Sequence, residues 1–104
     1  MQLAWLIFIG LHGLIHLLGF VKAFELARID SLSKPINRPT GLLWLLAASL
    51  FGALLLAYSS LLPGWQYVGL AALLLSQGLV LMHWHDARYA TIANLIVAIG
   101  LIWL

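Results

Sequence analysis

The side chains best suited to chemistry in this chain are four histidines: His12 and His16 in one pair, and His83 and His85 in another beside Asp86. An i, i+4 spacing sets the first two imidazoles on one helix face. There a divalent ion or a haem iron would take both as ligands and require more from elsewhere. His83, His85 and Asp86 could supply those further ligands, but they lie at the edge of the apolar sequence, and that depth argues against all four histidines joining. With Glu25 they form a second constellation that could hold a cation at the surface. Residues two apart do not share a helix face, so His83 and His85 chelate together only where a helix has ended. No Glu follows His12 as it would in a zinc-hydrolase helix; the residue is Gly13. The pair His12 and His16 also reads as a proton relay, because imidazole titrates near physiological pH; neutral, hydrogen-bonded packing is the reading the residues favour. The residues demand no cofactor, with haem or a divalent metal as the alternative. Cysteine is absent, so thiolate ligands and disulfides are excluded.

Ser49, Ser76, Gln77 and Asn94 are the other polar residues set well inside apolar sequence. At 1.5 Å rise per residue, His16 lies roughly 9 Å from an edge placed at Lys22. Ser49 and Gln77 fall roughly 10–12 Å from the same edge, with Asn94 nearer to it. One polar layer of His16, Ser49, Gln77 and Asn94 is expected, with His12 a turn deeper. A buried imidazole leaves a costly unsatisfied group unless both nitrogens find partners, and Gln77 and Ser49 are the expected ones.

The elements that must position these groups follow from composition. Of 104 residues, 64% are hydrophobic and 8% charged, whereas soluble domains run near 45–50% and about 25%. Mean hydropathy is +1.09. A domain this small would expose most of that apolar surface in water. The composition excludes a soluble globule, a disordered chain and a nucleic-acid binder, and makes the lipid bilayer the expected partner.

All charges fall in two windows, Lys22 to Arg38 and Asp86 to Arg88, leaving 1–21, 39–85 and 89–104 uncharged. The middle stretch is about twice the ~20 residues one span needs, and Pro63-Gly64 divides it with a turn. The expected fold is all-α, an antiparallel bundle of four transmembrane helices forming one domain over 1–104. Its helices run about 3–27 (apolar over 3–21), 41–62, 67–84 and 87–104. No basic residue precedes the first apolar run, so it reads as a span and not as a cleaved leader. Four spans place both charged loops on one side, and Lys/Arg enrichment makes that side cytoplasmic, with both termini outside. Arg28, Lys34 and Arg38 form a lipid-facing basic loop. Trp5, Tyr58, Trp65, Tyr67 and Trp103 belong near the outer interface, and Trp84 and Tyr89 near the inner one.

Helices in lipid associate through small and polar residues. The expected packing faces are His12, Gly13, His16, Gly19 and Ala23 on the first helix, and Ser49, Ala53, Ala57 and Ser60 on the second, beside Ala48 and Gly52. The third offers Gly69, Ala72, Ser76, Val80 and His83, and the fourth Ala87, Ala90, Thr91, Asn94 and Ala98.

Three blocks carry a resemblance: His12-Gly13-Leu14-Ile15-His16-Leu17-Leu18-Gly19-Phe20, Lys34-Pro35-Ile36-Asn37-Arg38-Pro39-Thr40-Gly41-Leu42-Leu43-Trp44, and Asp86-Ala87-Arg88-Tyr89-Ala90-Thr91-Ile92-Ala93-Asn94. Together they resemble the N-terminal four-helix membrane module of an uncharacterised bacterial inner-membrane family, in which a soluble domain often follows. The resemblance implies a bacterial inner membrane and lends no activity and no catalytic residue.

No carboxylate lies inside an apolar stretch, and no nucleophile–base pair is evident. The expected function is therefore non-enzymatic, a small membrane protein acting by binding as an accessory subunit of a larger membrane protein or as a homo-oligomer. One alternative is an oligomeric small transporter or proton conductor using His12 and His16. Its helix count looks like that of small multidrug transporters, which carry a carboxylate in the first helix. The other alternative is a haem- or metal-binding membrane protein using His12, His16, His83 and His85.

Overall fold

A computed structural model gives the fold, and the structure describes residues 2–28 and 35–103. Lys34 of the basic loop lies outside the described residues. Among those described, the chain is all-α with five helices: α1 Gln2–Ala23, α2 Arg38–Ser59, α3 Trp65–Met82, α4 Trp84–Ala87 and α5 Ala90–Trp103. The first three are long and apolar enough to cross a membrane. At 22, 22 and 18 residues they reach about 33, 33 and 27 Å, against the ~30 Å of a hydrocarbon core. In place of one helix over 87–104, the chain forms the four-residue α4, a turn at Arg88 and Tyr89, and the 14-residue apolar α5.

Neighbouring helices run antiparallel, as their contacts show. Trp5 meets Tyr58 and His16 meets Trp44 across α1 and α2; Tyr58 meets Trp65 and Trp44 meets His83 at the two ends of α2 and α3. Ser76 and Gln77 of α3 pair with Asn94 and Thr91 of α5. The molecule measures 38 × 21 × 19 Å.

Local chemistry sets the helix ends. Asn37 caps α2 by accepting the Thr40 N–H at 2.8 Å, with Pro39 in the first turn, a strong start signal. The helix therefore begins before the expected residue 41. After α1 the Leu26 N–H reaches the Val21 carbonyl and the Glu25 N–H reaches Lys22, with Glu25 at φ 55. Leu61, at φ 54, closes α2 in the same way through Leu62 to Ala57 and Leu61 to Tyr58. Both are Schellman closures with a side chain where glycine is usual. They stop α1 at Ala23 instead of near 27, and α2 at Ser59 instead of 62.

Two apolar clusters fill the interior. One gathers Trp5, Ile9, Phe51, Leu54, Tyr58, Ala72 and Val97; the other gathers Ala23, Ile36, Trp44, Ala47 and Leu79. Trp5, Tyr58 and Trp65 pack edge to face with centroids 4.8–5.9 Å apart, and Trp5 and Tyr58 are buried, whereas Tyr67 and Trp103 are exposed. The expected faces of α1 and α3 are the buried ones. The face of α2 differs: Ser49, Ala53 and Ser60 are exposed, and Trp44, Ala47, Phe51, Leu54, Ala57 and Tyr58 point inward. The reason is volume. Small residues on α1, α3 and α5 leave space that only large side chains fill. A Cβ on Gly19 would strike the Trp44 ring, and one on Gly100 would strike the Trp5 indole.

Gly19→Leu should therefore destabilise the fold by about 1–3 kcal/mol through overpacking. Gly10→Leu, at a position with open space around it, should stay within about 0.5 kcal/mol. Reversible unfolding in mixed micelles measures both; equal losses would contradict this packing.

Candidate functional site

A polar layer lies between the two apolar clusters, built from α1, α3 and α5. The i, i+4 spacing stacks His12 and His16 on the buried face of α1, with ring centroids 4.7 Å apart and edge to face. His12 Nε2–H donates to Asn94 Oδ1 at 2.7 Å, joining α1 to α5. His16 Nδ1–H donates to the His12 carbonyl at 2.8 Å, a back-bond along the helix. A carbonyl only accepts, so Nδ1 of His16 carries the proton and Nε2 is left to accept. Ser76 Oγ, 2.7 Å from that Nε2, is its donor and joins α1 to α3. The same hydroxyl lies 3.1 Å from Asn94 Oδ1. Asn94 Nδ2–H donates to Gln77 Oε1 at 3.0 Å, and Gln77 Nε2–H donates to Thr91 Oγ1 at 3.1 Å.

The layer is dry. His16 is 1% exposed and Ser76 fully buried, and His12 and Asn94 are also buried. Phe51 packs against both imidazoles at 4.9 and 5.1 Å, Trp44 against His16 at 5.5 Å, and Phe8 stacks on His12. In such surroundings each polar group depends on its partner in the chain, because water is not there to replace it.

Of the residues singled out from sequence, His12, His16, Gln77 and Asn94 come together. Ser49 does not: it is exposed, and its hydroxyl donates to the Leu45 carbonyl of its own helix at 2.9 Å. The imidazole partners are Ser76 and Asn94 in place of Ser49 and Gln77. Ser76 carries its own signal, lying on the small-residue line of α3 with Gly69 and Ala72. Depth alone does not select it, because depth ignores which way a side chain faces. Thr91 closes the network from α5.

The second pair of histidines separates. His83 is buried, donates through Nδ1 to the Leu79 carbonyl at 3.1 Å, and packs on Trp44 at 5.5 Å. His85 is exposed. Among the described residues, no three of His, Cys, Asp and Glu gather as a metal site would require. Arg28 and Arg38 are exposed, and the Arg38 guanidinium lies 5.5 Å over the Phe24 ring.

No protein family, curated protein or solved structure matches this chain. What the layer does chemically is bind helix to helix.

Asn94→Ala strips partners from His12 and Gln77, so it should cost about 1–3 kcal/mol of stability in a bilayer or micelle. Ser49→Ala, which removes only a bond within one helix, should stay within about 0.5 kcal/mol. Unfolding of both variants checks the ordering, and a reversed ordering would remove the layer from its structural role.

Proposed function

We propose that this chain is a four-span module of a bacterial inner membrane that acts by binding, as an accessory subunit of a larger membrane protein or as a homo-oligomer. In this reading α1, α2, α3 and the α4–α5 segment each cross the bilayer. The basic loop with Arg28, Lys34 and Arg38 and the turn with Arg88 lie on the cytoplasmic side, and both ends of the segment lie opposite. One observation carries it: the polar groups at mid-helix depth spend their hydrogen bonds on one another across α1, α3 and α5. They hold the bundle together while bulky aliphatic side chains such as Leu11, Leu14, Leu56 and Leu74 face outward. That division is what a helix bundle in hydrocarbon requires. The clustering of Lys and Arg supports the orientation, and the resemblance of the three sequence blocks supports the compartment.

The cysteine-free sequence makes the topology directly testable. Lys34→Cys and Arg88→Cys should react with an impermeant maleimide from the cytoplasmic side only, and Gln66→Cys from the opposite side only. Labelling of the first two from different sides would overturn the reading. Cross-linking in native membranes should capture a homo-oligomer or a larger membrane partner, and a lone monomer would contradict action by binding.

A second reading, proton conduction, is favoured by the Ser76 hydroxyl. Its single proton faces two acceptors, His16 Nε2 and Asn94 Oδ1. A proton taken up at His16 Nε2 would make that nitrogen the donor to the Ser76 oxygen and turn the Ser76 proton to Asn94, so every group stays bonded. Loss of the His16 Nδ1 proton and return of the hydroxyl would complete the transfer. In proteoliposomes this reading predicts a proton flux that Ser76→Ala abolishes; flux that survives Ser76→Ala, or no flux at all, removes it.

A further inference from the structure

His12, His16 and His83 are all buried, and two of them use Nδ1 in the same way. His16 donates it to the His12 carbonyl and His83 donates it to the Leu79 carbonyl, each four residues back. His12 is the exception. Asn94 spends its Nδ2–H on Gln77 Oε1, so the oxygen of that amide faces His12. An amide oxygen only accepts, so the His12 proton sits on Nε2 and Nδ1 keeps a lone pair. The carbonyls of its own helix cannot serve a lone pair. Among the described residues, no donor reaches His12 Nδ1.

His12 also lines a cleft of about 360 Å³ between α1 and the α4–α5 segment, with His16 beside it. That volume lies in the range of about 300–1,000 Å³ found for small-molecule sites. Room exists because α5 presents Ala90 and Ala93 opposite Ile15 of α1. From Asp86 to Ala93 the cleft runs about 10 Å along the helices. Among the described residues, the side-chain polar atoms sealed away without a partner are the indole nitrogens of Trp5 and Trp44. His12 Nδ1 is not one of them, so an occupant of the cleft can reach it.

The surroundings select the kind of donor. A held water needs about 2–4 polar partners, and at this depth His12 Nδ1 offers one. Both nitrogens of His16 are engaged, and Ile15, Leu18, Ala90 and Ala93 are apolar. An ammonium would leave a charge unanswered there, and an amide would bring a carbonyl oxygen with no donor to meet it. A phenol suits the place: its acidic O–H donates well, its oxygen accepts weakly, and its ring is apolar. We propose that the α1–α5 cleft binds a membrane-soluble phenol whose hydroxyl donates to His12 Nδ1. This goes beyond the reading above and holds equally for an accessory subunit or a homo-oligomer.

The test titrates 4-butylphenol into bilayers holding the full chain with nitrogen-15-labelled histidine. Solid-state NMR should show the His12 Nδ1 resonance moving saturably to its hydrogen-bonded position. The same body with a methyl ether in place of the hydroxyl, 4-butylanisole, should leave that resonance where it is. Ala93→Leu, which fills the cleft, should raise the half-saturating concentration of 4-butylphenol at least about tenfold, the equivalent of 1.4 kcal/mol. If Ala93→Leu does not fold, Ala90→Leu on the same wall takes its place. A resonance that 4-butylphenol does not move, an equal response to 4-butylanisole, or an unchanged midpoint in the filled variant overturns the proposal. So does a His12 Nδ1 already hydrogen-bonded before any phenol is added, because water would then hold the place.

Discussion

Everything in this structure depends on keeping a handful of polar side chains satisfied where water does not reach. In the membrane-spanning reading proposed above, Leu and Phe gain nothing by leaving lipid for a protein interior, so apolar burial does little to order the helices. Hydrogen bonds between helices do discriminate, because a polar group turned outward finds no partner in hydrocarbon. His12 to Asn94, His16 to Ser76, and Asn94 to Gln77 fix α1, α3 and α5 against one another in rotation as well as in height.

Packing above and below the layer turns that constraint into a single arrangement. Large residues are concentrated on α2, where Trp44, Phe51, Leu54 and Tyr58 enter space left by small residues on its neighbours. Trp44 and Phe51 also wall the imidazoles, so the helix with no side chain in the hydrogen-bond chain supplies the dry surroundings. The α1–α5 seam has this filling at one end, where Trp5 packs against Gly100. Its main fastening is the His12–Asn94 bond, which leaves room on the side of Asp86 and Ala90. Clasp and cleft follow from the same choice of small residues on α5.

Much of this was legible in the residues. On α1 the small and polar positions coincide, and His12, Gly13, His16, Gly19 and Ala23 are all buried. On α3 the line through Gly69, Ala72, Ser76 and Val80 is buried as read. The inward face of α2 was not legible, because a leucine or phenylalanine reads the same facing lipid or facing protein. Only complementarity with the neighbours' glycines decides, and that is a property of the assembled bundle. Ser49 misled for a local reason: a serine in a helix can satisfy itself on the carbonyl four residues back, so nothing forces it inward. Glu25 and Leu61 end helices in a conformation normally marked by glycine, and so leave no signal, whereas the Asn37 cap was present but obscured by the charged loop around it.

The hydrogen bonds that join the layer make a specific demand on its protons. His16 must carry hydrogen on Nδ1 to serve the His12 carbonyl, while His12 must carry it on Nε2 to serve Asn94. Solid-state NMR of nitrogen-15-labelled histidine, with the full chain in lipid bilayers, reads both rings directly. The account predicts two imidazoles of opposite tautomer, with the His16 Nε2 resonance shifting on Ser76→Ala. The same tautomer on both rings, or a His16 Nε2 indifferent to Ser76, would contradict it.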